Sequence, residues 1–211
     1  MTRAQARALE TLSERYCLES GDGPLDPVRA FGRSAPLGLE IGYGMGQALL
    51  EWARERPDWN LLGVEVYQPG VGSALLGIER EALENVRLVE GPAEQLVEAR
   101  LPPESLDEVR IFFPDPWPKK RHHKRRLIQS PFVATLAERL RPGALLWVAT
   151  DWEPYAEWIV EVLDAEPSLI RQERETAPAR PRTRFESRGL ARGHRVWDLR
   201  YQRKRSSTES R

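Results

Sequence analysis

The sequence predicts an α/β fold in which a mostly parallel sheet of seven strands carries helices on both faces and ends with an antiparallel last strand. Short apolar segments typical of buried strands alternate along the chain with segments whose apolar residues recur at helical spacing. The first apolar segment leads directly into a glycine-rich loop, residues 42–46, that opens a helical pattern. Acidic residues follow several predicted strands, at the end where open α/β sheets bind their ligands.

The composition is that of a globular protein. Of the 211 residues, 40% are hydrophobic and 30% charged, which excludes a disordered chain, and no apolar run is long enough for a membrane helix. The first residues lack the apolar core of a secretory signal, so a cytoplasmic protein with no membrane partner is expected. Cys17 is the only cysteine, which excludes an internal disulfide and a zinc–thiolate cluster.

Three regions are predicted along the chain. Residues 1–35 form an amino-terminal arm that is partly irregular, with a short amphipathic helix over residues 3–15. Residues 36–203 form the domain, and residues 204–211 form a polar tail that is expected to be mobile.

The first predicted strand, residues 37–41, places Glu40 just before the glycine loop. Gly42, Gly44 and Gly46 allow a ligand to approach the backbone closely, and the following helix start supplies free amide groups. Counting from Gly42, the last glycine falls one position earlier than in the dinucleotide fingerprint. A G-x-G-x-G loop preceded by an acid is the form used around S-adenosylmethionine, whose amino-acid end needs no pyrophosphate cradle.

The second and third strands add candidates for holding an adenosyl group. The second, residues 60–66, ends at Glu65, where a carboxylate accepts both ribose hydroxyls and repels a 2′-phosphate. NADP is therefore disfavoured, while adenosyl donors and NAD remain open. After the third strand, residues 86–89, Pro92 stands where many adenosyl sites offer an acid to the adenine amino group. Glu94 and backbone groups are the alternatives.

The fourth strand, residues 106–113, is followed by one acid among prolines, in the order Pro114-Asp115-Pro116-Trp117-Pro118. Prolines fix φ and remove backbone donors, so this loop is predicted to be extended and stiff. Asp115 is predicted to face the same ligand as the glycine loop and Glu65. An acid, a proline and an aromatic in this order suit the presentation of a nucleobase to a methyl donor, although Trp117 could instead pack on the prolines.

Residues 119–126 are all Lys, Arg or His. Positive charge beside an acid suits a polyanionic substrate, because each neutralised phosphate contributes roughly 0.7–0.9 to the salt dependence of binding. A solvated run of charges is the alternative. His122 and His123 are not convincing metal ligands, since the chain has 3 histidines and no cysteine near them, and no metal site is predicted.

A turn at Arg141-Pro142-Gly143 is predicted to precede a fifth strand over residues 144–150, which leads into Asp151. This places a second acid at the same sheet edge. Residues 169–173 and 196–202 are predicted to form a final antiparallel pair.

The segment between these last strands is too long for a simple connection and indicates a functional loop, with a disordered basic loop as the alternative. It mixes arginines, an aromatic and an acid, and it includes Thr183, Arg184, Phe185 and Glu186.

Over about residues 31–203, these motifs resemble the bacterial tRNA (guanine-N7)-methyltransferase family. The acid among prolines with its basic run, and the Thr183-Arg184-Phe185-Glu186 segment, are more specific than the glycine loop. The resemblance implies a Rossmann-like class I methyltransferase fold, S-adenosyl-L-methionine as donor without a metal, and a guanine in the variable loop of tRNA as substrate. A monomer or a homodimer is expected.

The resemblance also implies roles for individual residues. Asp115 is implied as the catalytic residue, and the donor is assigned to Glu40, Gly42, Gly44, Gly46, Glu65, Pro92 and Asp115. The RNA substrate is assigned to Lys119, Asp151, Thr183, Arg184, Phe185 and Glu186. Pro92 departs from the family pattern, because relatives often carry an acidic adenine contact there.

The chemistry agrees with this set of residues. Guanine N7 carries a free lone pair, so its attack on a sulfonium methyl group needs alignment and electrostatics rather than a general base. Asp115 would either stabilise the developing positive charge or hold the base through its N–H edge. The alternatives are a methyltransferase acting on an exocyclic amine, a non-catalytic RNA-binding protein of the same fold and, more distantly, an NAD enzyme.

Overall fold

The computed structural model describes residues 1–18, 21, 23–172 and 195–205. The chain divides into two compact units, Met1–Pro102 and Pro103–Arg211. Within the described residues, no helix has the length and apolar character needed to cross a membrane.

The first unit alternates helices with three strands. Its elements are α1 (Arg3–Tyr16), α2 (Pro27–Phe31), β1 (Leu37–Ile41), α3 (Gln47–Glu55), β2 (Asn60–Glu65), α4 (Gln68–Glu81), β3 (Val86–Glu90) and α5 (Ala93–Gln95), which continues into a π-helical turn, Leu96–Arg100. β1 pairs with β2 and β2 with β3, in both cases parallel. The carboxyl ends of these strands therefore share one edge.

Helix α1 is capped and packed against the first unit. The Thr2 hydroxyl accepts a hydrogen bond from the Gln5 amide while the Gln5 side chain accepts one from the Thr2 amide, which satisfies two free donors of the first turn. α1 lies against α4, where Gly72 makes room for it, since a Cβ there would be 2.7 Å from the Gln5 carbonyl oxygen. Residues 3–16 are therefore part of the packed unit.

The second unit carries the remaining four strands. Its elements are β4 (Leu106–Phe112), a 3₁₀ helix (Lys120–Arg125), α6 (Ser130–Arg139), β5 (Leu140–Thr150), α7 (Glu153–Asp164), β6 (Leu169–Arg171) and β7 (Trp197–Arg203). β4 and β5 are parallel, whereas β7 runs antiparallel to both β5 and β6.

All seven strands belong to one mostly parallel sheet, in the order β3-β2-β1 in the first unit and β4-β5-β7-β6 in the second. The predicted fold class, including the antiparallel last strand, is confirmed.

The predicted turn at residues 141–143 is wrong, because β5 already begins at Leu140. Leu106 pairs with Leu140 and Glu108 pairs with Leu145, so the extra residues of β5 form a bulge instead of ending the strand. Gly143 has a φ of 86°, which suits glycine. The Arg141 side chain holds the bulge by donating hydrogen bonds to the Glu104 carbonyl and the Asp107 carboxylate.

Candidate active site

The glycine loop, residues 42–46, lies at the carboxyl end of β1 in the first unit. Gly42, Gly44 and Gly46 have φ angles of 69°, 56° and 87°, a region that favours glycine. A Cβ on Gly42 or Gly44 would meet no atom within 4 Å, so the space beside both residues is open. A Cβ on Gly46 would lie 2.9 Å from the Ala74 Cβ, so this glycine also lets the start of α3 pack against α4.

Glu65, at the end of β2, holds the glycine loop in place. Its Oε2 accepts a hydrogen bond from the Gly44 amide at 2.8 Å, and its Oε1 accepts from the amides of Val66 and Tyr67 at 2.8 Å and 3.0 Å. The residue is only 8% exposed. The two carboxylate oxygens have four lone pairs between them, of which these bonds use three, so Glu65 can accept one further hydrogen bond, at Oε2, from a ribose hydroxyl.

Two other residues complete this end of β1. Glu40 is 2% exposed and lies in a strand that is buried along its whole length. Tyr43 lies inside the glycine loop, is also buried, and its pKa is raised well above the usual value by burial. Gly63 makes room for the tyrosine, because a Cβ there would be 2.7 Å from the Tyr43 ring. Sequence reasoning missed Tyr43 and Gly63, whose pairing depends on neighbouring strands.

Pro92 is exposed at the start of α5, after the carboxyl end of β3. Its carbonyl accepts a hydrogen bond from the Leu96 amide, and the Gly91 amide donates to the Glu65 carbonyl at 3.0 Å. The glycine loop, Glu65 and the Pro92 turn thus lie at the carboxyl edge of the three parallel strands. The Glu94 side chain is exposed nearby in the chain.

Replacing Glu65 with glutamine should weaken both the glycine loop and donor binding. Glutamine offers one acceptor oxygen where glutamate offers two, so at least one of the three amides loses its partner, at a cost of about 1–3 kcal/mol in unfolding free energy. We expect thermal unfolding at a lower temperature and about tenfold weaker binding of S-adenosylmethionine by calorimetry.

Glu90→Gln is the matched control for Glu65→Gln. Glu90 ends the neighbouring strand, but it is exposed and accepts a hydrogen bond only from the Gln68 side chain among the bonds resolved for it. Unchanged donor affinity in Glu65→Gln would contradict the assigned role.

In the second unit, the loop that carries Asp115 is conformationally restrained. Phe113 and Trp117 have φ angles of 53° and 43°, which are unusual for residues other than glycine. Asp115 lies midway between them and is exposed. Because such conformations cost about 1–3 kcal/mol each and persist only where the surroundings impose them, this loop must be anchored. One anchor is the Phe113 amide, which donates to the Ala149 carbonyl of β5 at 2.7 Å. We name residues 113–118 the aspartate loop.

Trp117 packs against the basic run that follows it. The Arg125 guanidinium lies 5.0 Å from the centre of the Trp117 ring, and the His122 ring meets it edge-on at 5.9 Å. These contacts join Trp117 to the basic run, and its stacking on a substrate stays a prediction.

The basic run is folded and is not uniformly exposed. Lys120–Arg125 form a 3₁₀ helix, which we name the basic helix, and it contains no buried residue. Lys119 precedes it, is exposed, and accepts a hydrogen bond from the His122 amide through its carbonyl at 2.7 Å. Arg126, which follows the helix, is only 4% exposed. The prediction that all of residues 119–126 are available to a polyanionic substrate or to solvent is therefore wrong for Arg126.

Asp151 follows β5 directly and is half-buried, at the same end of the parallel pair β4 and β5 as the aspartate loop. Asp115 and Asp151 therefore both lie at the carboxyl end of this strand pair in the second unit. Lys119 follows the aspartate loop in the chain. Thr183, Arg184, Phe185 and Glu186 lie outside the described residues. Among those that are described, no group of three or more His, Cys, Asp or Glu side chains is placed to hold a metal.

Comparison with known proteins identifies the family of this chain. A family model described as "Putative methyltransferase" matches residues 34–199. The chain is 52% identical to the tRNA (guanine-N(7)-)-methyltransferase of Acidovorax sp. (strain JS42), over 96% of this chain and 82% of the relative. It is 50% identical to the enzyme of the same name from Nitrosococcus oceani, over 96% of this chain and 86% of the relative.

The chain belongs to the tRNA (guanine-N7)-methyltransferase family. The predicted family is confirmed.

Solved structures agree with the fold of this family member. The 16S rRNA (adenine(1408)-N(1))-methyltransferase from Catenulisporales acidiphilia superposes with a TM-score of 0.59, covering 89% of this chain and 95% of that chain at 21% identity. At that identity the likeness shows the fold alone. The class I methyltransferase fold expected from the sequence is thereby confirmed.

Proposed function

We propose that this family member transfers a methyl group from S-adenosyl-L-methionine to N7 of a guanine in the variable loop of tRNA, in the cytoplasm. The observation that carries the proposal is the exposed carboxylate of Asp115, which lies in a restrained loop at a strand end, shortly before the basic helix. Identity of about half to relatives named for this activity supports it.

The donor is assigned to residues at strand ends. The open space beside Gly42 and Gly44 suits close approach of a ligand to the backbone, and Oε2 of Glu65 can accept one further hydrogen bond from a ribose hydroxyl. Because position 92 is a proline and not an acid, we assign acceptance of the hydrogen bond from the adenine amino group to Glu94 or to backbone carbonyls. The full donor set that we propose is Glu40, Gly42, Gly44, Gly46, Glu65, Pro92 and Asp115.

The donor supplies the methyl group on a sulfonium. Guanine N7 attacks with its own lone pair, one carbon–nitrogen bond forms as one carbon–sulfur bond breaks, and no proton has to be removed. The purine becomes cationic in this step. A fixed, exposed carboxylate stabilises that charge or accepts a hydrogen bond from the N–H edge of the base, and we assign this role to Asp115.

The RNA backbone is assigned to the positive charge beside Asp115. Lys119 and the exposed side chains of the basic helix, Lys120, Arg121, Lys124 and Arg125, offer donors for phosphate oxygens. Further RNA contacts are assigned to Asp151, Thr183, Arg184, Phe185 and Glu186.

Lys119→Ala should weaken tRNA binding and its dependence on salt. Removing one phosphate contact is expected to reduce the slope of log affinity against log salt concentration by about 0.7–0.9. Filter binding between 50 and 200 mM salt, a range over which such slopes are resolved, measures this change.

Lys204→Ala is the control for Lys119→Ala. Lys204 follows β7 at the opposite end of the strands of the same unit, and its ammonium donates to the Pro167 carbonyl. A slope that changes equally in both variants would mean that overall charge, rather than the basic helix, governs binding.

The function is tested by incubating the purified protein with methyl-labelled S-adenosylmethionine and an unmodified tRNA transcript, and by identifying labelled nucleosides by mass spectrometry. We expect 7-methylguanosine, and no product from a transcript that carries 7-deazaguanosine in the variable loop. Label in another nucleoside would favour methylation of an exocyclic amine. Donor and tRNA binding without any label would favour a non-catalytic RNA-binding protein.

A further inference from the structure

Arg126 is buried directly beneath the aspartate loop. Its Nε donates a hydrogen bond to the Pro116 carbonyl at 2.9 Å, and its Nη2 lies 3.1 Å from His123 Nε2. Pro116 is the residue that follows Asp115 in the chain. One side chain therefore links the aspartate loop to the basic helix from below.

Two aromatic rings of α7 enclose the guanidinium. It lies 4.9 Å from the centre of the Tyr155 ring and 5.5 Å from that of the Trp158 ring, distances at which a cation is attracted to a ring face. Burial raises the pKa of Tyr155 to about 12, so its phenol is neutral at physiological pH. Burial also lowers the pKa of Arg126. The contact is therefore one of a cation with neutral rings and not an ion pair.

The rings themselves are fixed to the segment that follows Arg126. Trp158 Nε1 donates to the Ile128 carbonyl at 2.8 Å, and the Ile128 amide donates to the Tyr155 hydroxyl at 3.4 Å. The Gln129 side chain also donates to the His123 carbonyl at 2.9 Å. The guanidinium thus connects the aspartate loop to helix α7.

The aspartate loop needs such a connection because it has few backbone N–H groups that could donate hydrogen bonds. Pro114, Pro116 and Pro118 have no N–H group. The backbone of these prolines can therefore be anchored only through its carbonyl oxygens. An anchor is required because of the conformations of Phe113 and Trp117. Arginine suits the task, since its planar guanidinium donates to the Pro116 carbonyl while it also contacts the two aromatic rings. Lysine offers a single ammonium.

We propose that Arg126 is a positioning residue for methyl transfer: through the Pro116 carbonyl and the α7 rings it fixes the aspartate loop so that Asp115 is held where the reaction needs it. This inference rests on the proposed function of Asp115. It assigns Arg126 no contact with the donor or the RNA.

Arg126→Lys is expected to lower kcat by about 10- to 100-fold, because a displacement of about 1 Å in a catalytic group has effects of that size. KM for the donor and for tRNA should change less than about threefold, since Asp115 is the only one of the assigned binding groups that is displaced. In Arg126→Ala, added ethylguanidinium should restore part of the lost kcat.

Arg33→Lys is the matched control. Arg33 also anchors a loop through its guanidinium, which donates to the Asn60 side chain and to the carbonyls of Pro57 and Trp59, before β2 in the first unit. Its replacement should lower the unfolding temperature without a selective fall in kcat. If Arg126→Lys and Arg33→Lys have equal effects on stability and on kcat, the role of Arg126 is structural only.

The Asp115→Ala/Arg126→Lys double variant tests whether Arg126 acts through Asp115. We expect it to be no slower than Asp115→Ala alone, because the two residues act as one unit. If the losses of kcat in the two single variants multiply in the double variant, the inference is wrong.

Hydrogen exchange at the amides of Phe113, Asp115 and Trp117 gives a readout that does not depend on activity. We expect faster exchange in Arg126→Lys than in the wild type or in Arg33→Lys. If the wild type makes no 7-methylguanosine, the proposed function fails, while faster exchange still shows that Arg126 anchors the loop. Unchanged exchange together with unchanged kcat would refute the positioning role.

Discussion

Asp115→Ala is expected to lower methyl transfer to tRNA by about 100- to 1,000-fold while tRNA binding stays within a fewfold of the wild type. Removing one preorganised group that stabilises charge in a transition state has effects of this size. The side chain is exposed and its loop is anchored by Phe113 and Pro116, so truncation at Asp115 leaves the fold in place. Single-turnover kinetics with saturating donor, together with filter binding, measure the two quantities separately.

Asp115→Asn distinguishes the two roles that Asp115 could have. Asparagine keeps a carbonyl acceptor but carries no charge. If charge stabilisation dominates, Asp115→Asn is as slow as Asp115→Ala; if the carboxylate mainly holds the base through its N–H edge, Asp115→Asn retains part of the rate. Comparable losses of transfer and of tRNA binding in Asp115→Ala would assign the residue to recognition or structure instead.

Gly70→Ala is expected to disrupt the glycine loop, although alanine is the better helix former by about 1 kcal/mol. Gly70 lies in the first turn of α4, and a Cβ there would be 2.2 Å from the Gly44 carbonyl oxygen. Backbone atoms cannot rotate away as a side chain can, so the loop must move and the Gly44 amide loses its bond to Glu65. Since hydrogen bonds to charged groups contribute about 1.5–3 kcal/mol, donor affinity should fall at least about tenfold.

Gly77→Ala in the same helix provides the control for Gly70→Ala. Its Cβ would meet the Leu50 Cδ1 methyl group at 2.3 Å, which is the end of a side chain. Overpacking of this kind costs about 1–3 kcal/mol of stability, but it does not touch the glycine loop. Calorimetric titration with S-adenosylmethionine should therefore separate the two variants, and normal donor affinity in Gly70→Ala would mean that the loop geometry is not needed for binding.

Local patterns in the sequence were sufficient to predict the strands, and the resemblance of its motifs to a known family predicted the family. The first strand was predicted at its observed bounds, residues 37–41, and the glycine loop and the aspartate loop follow their strands as expected. Apolar periodicity and turn residues act within a few positions along the chain, so they can be recognised without knowing what lies across the fold. The assignment of Glu40, Glu65 and Asp115 to the donor remains a prediction.

The sequence did not disclose how the site residues are held. Residues 141–143 contain a proline and a glycine, the usual signal of a turn, yet pairing with β4 keeps them in a strand as a bulge. Arg126 belongs to an unbroken basic run, yet the rings of Tyr155 and Trp158, about thirty residues later, bury it.

Sequence alone thus determined which elements form and which residues stand at the strand ends, because hydrophobic spacing and chain stiffness are local properties. Only the tertiary structure decided that Glu65 restrains the Gly44 amide and that Arg126 restrains the Pro116 carbonyl. Both contacts join segments brought together by strand pairing and by the docking of helices. The free energy of burying a charged group depends on these distant partners as well as on its neighbours in the chain.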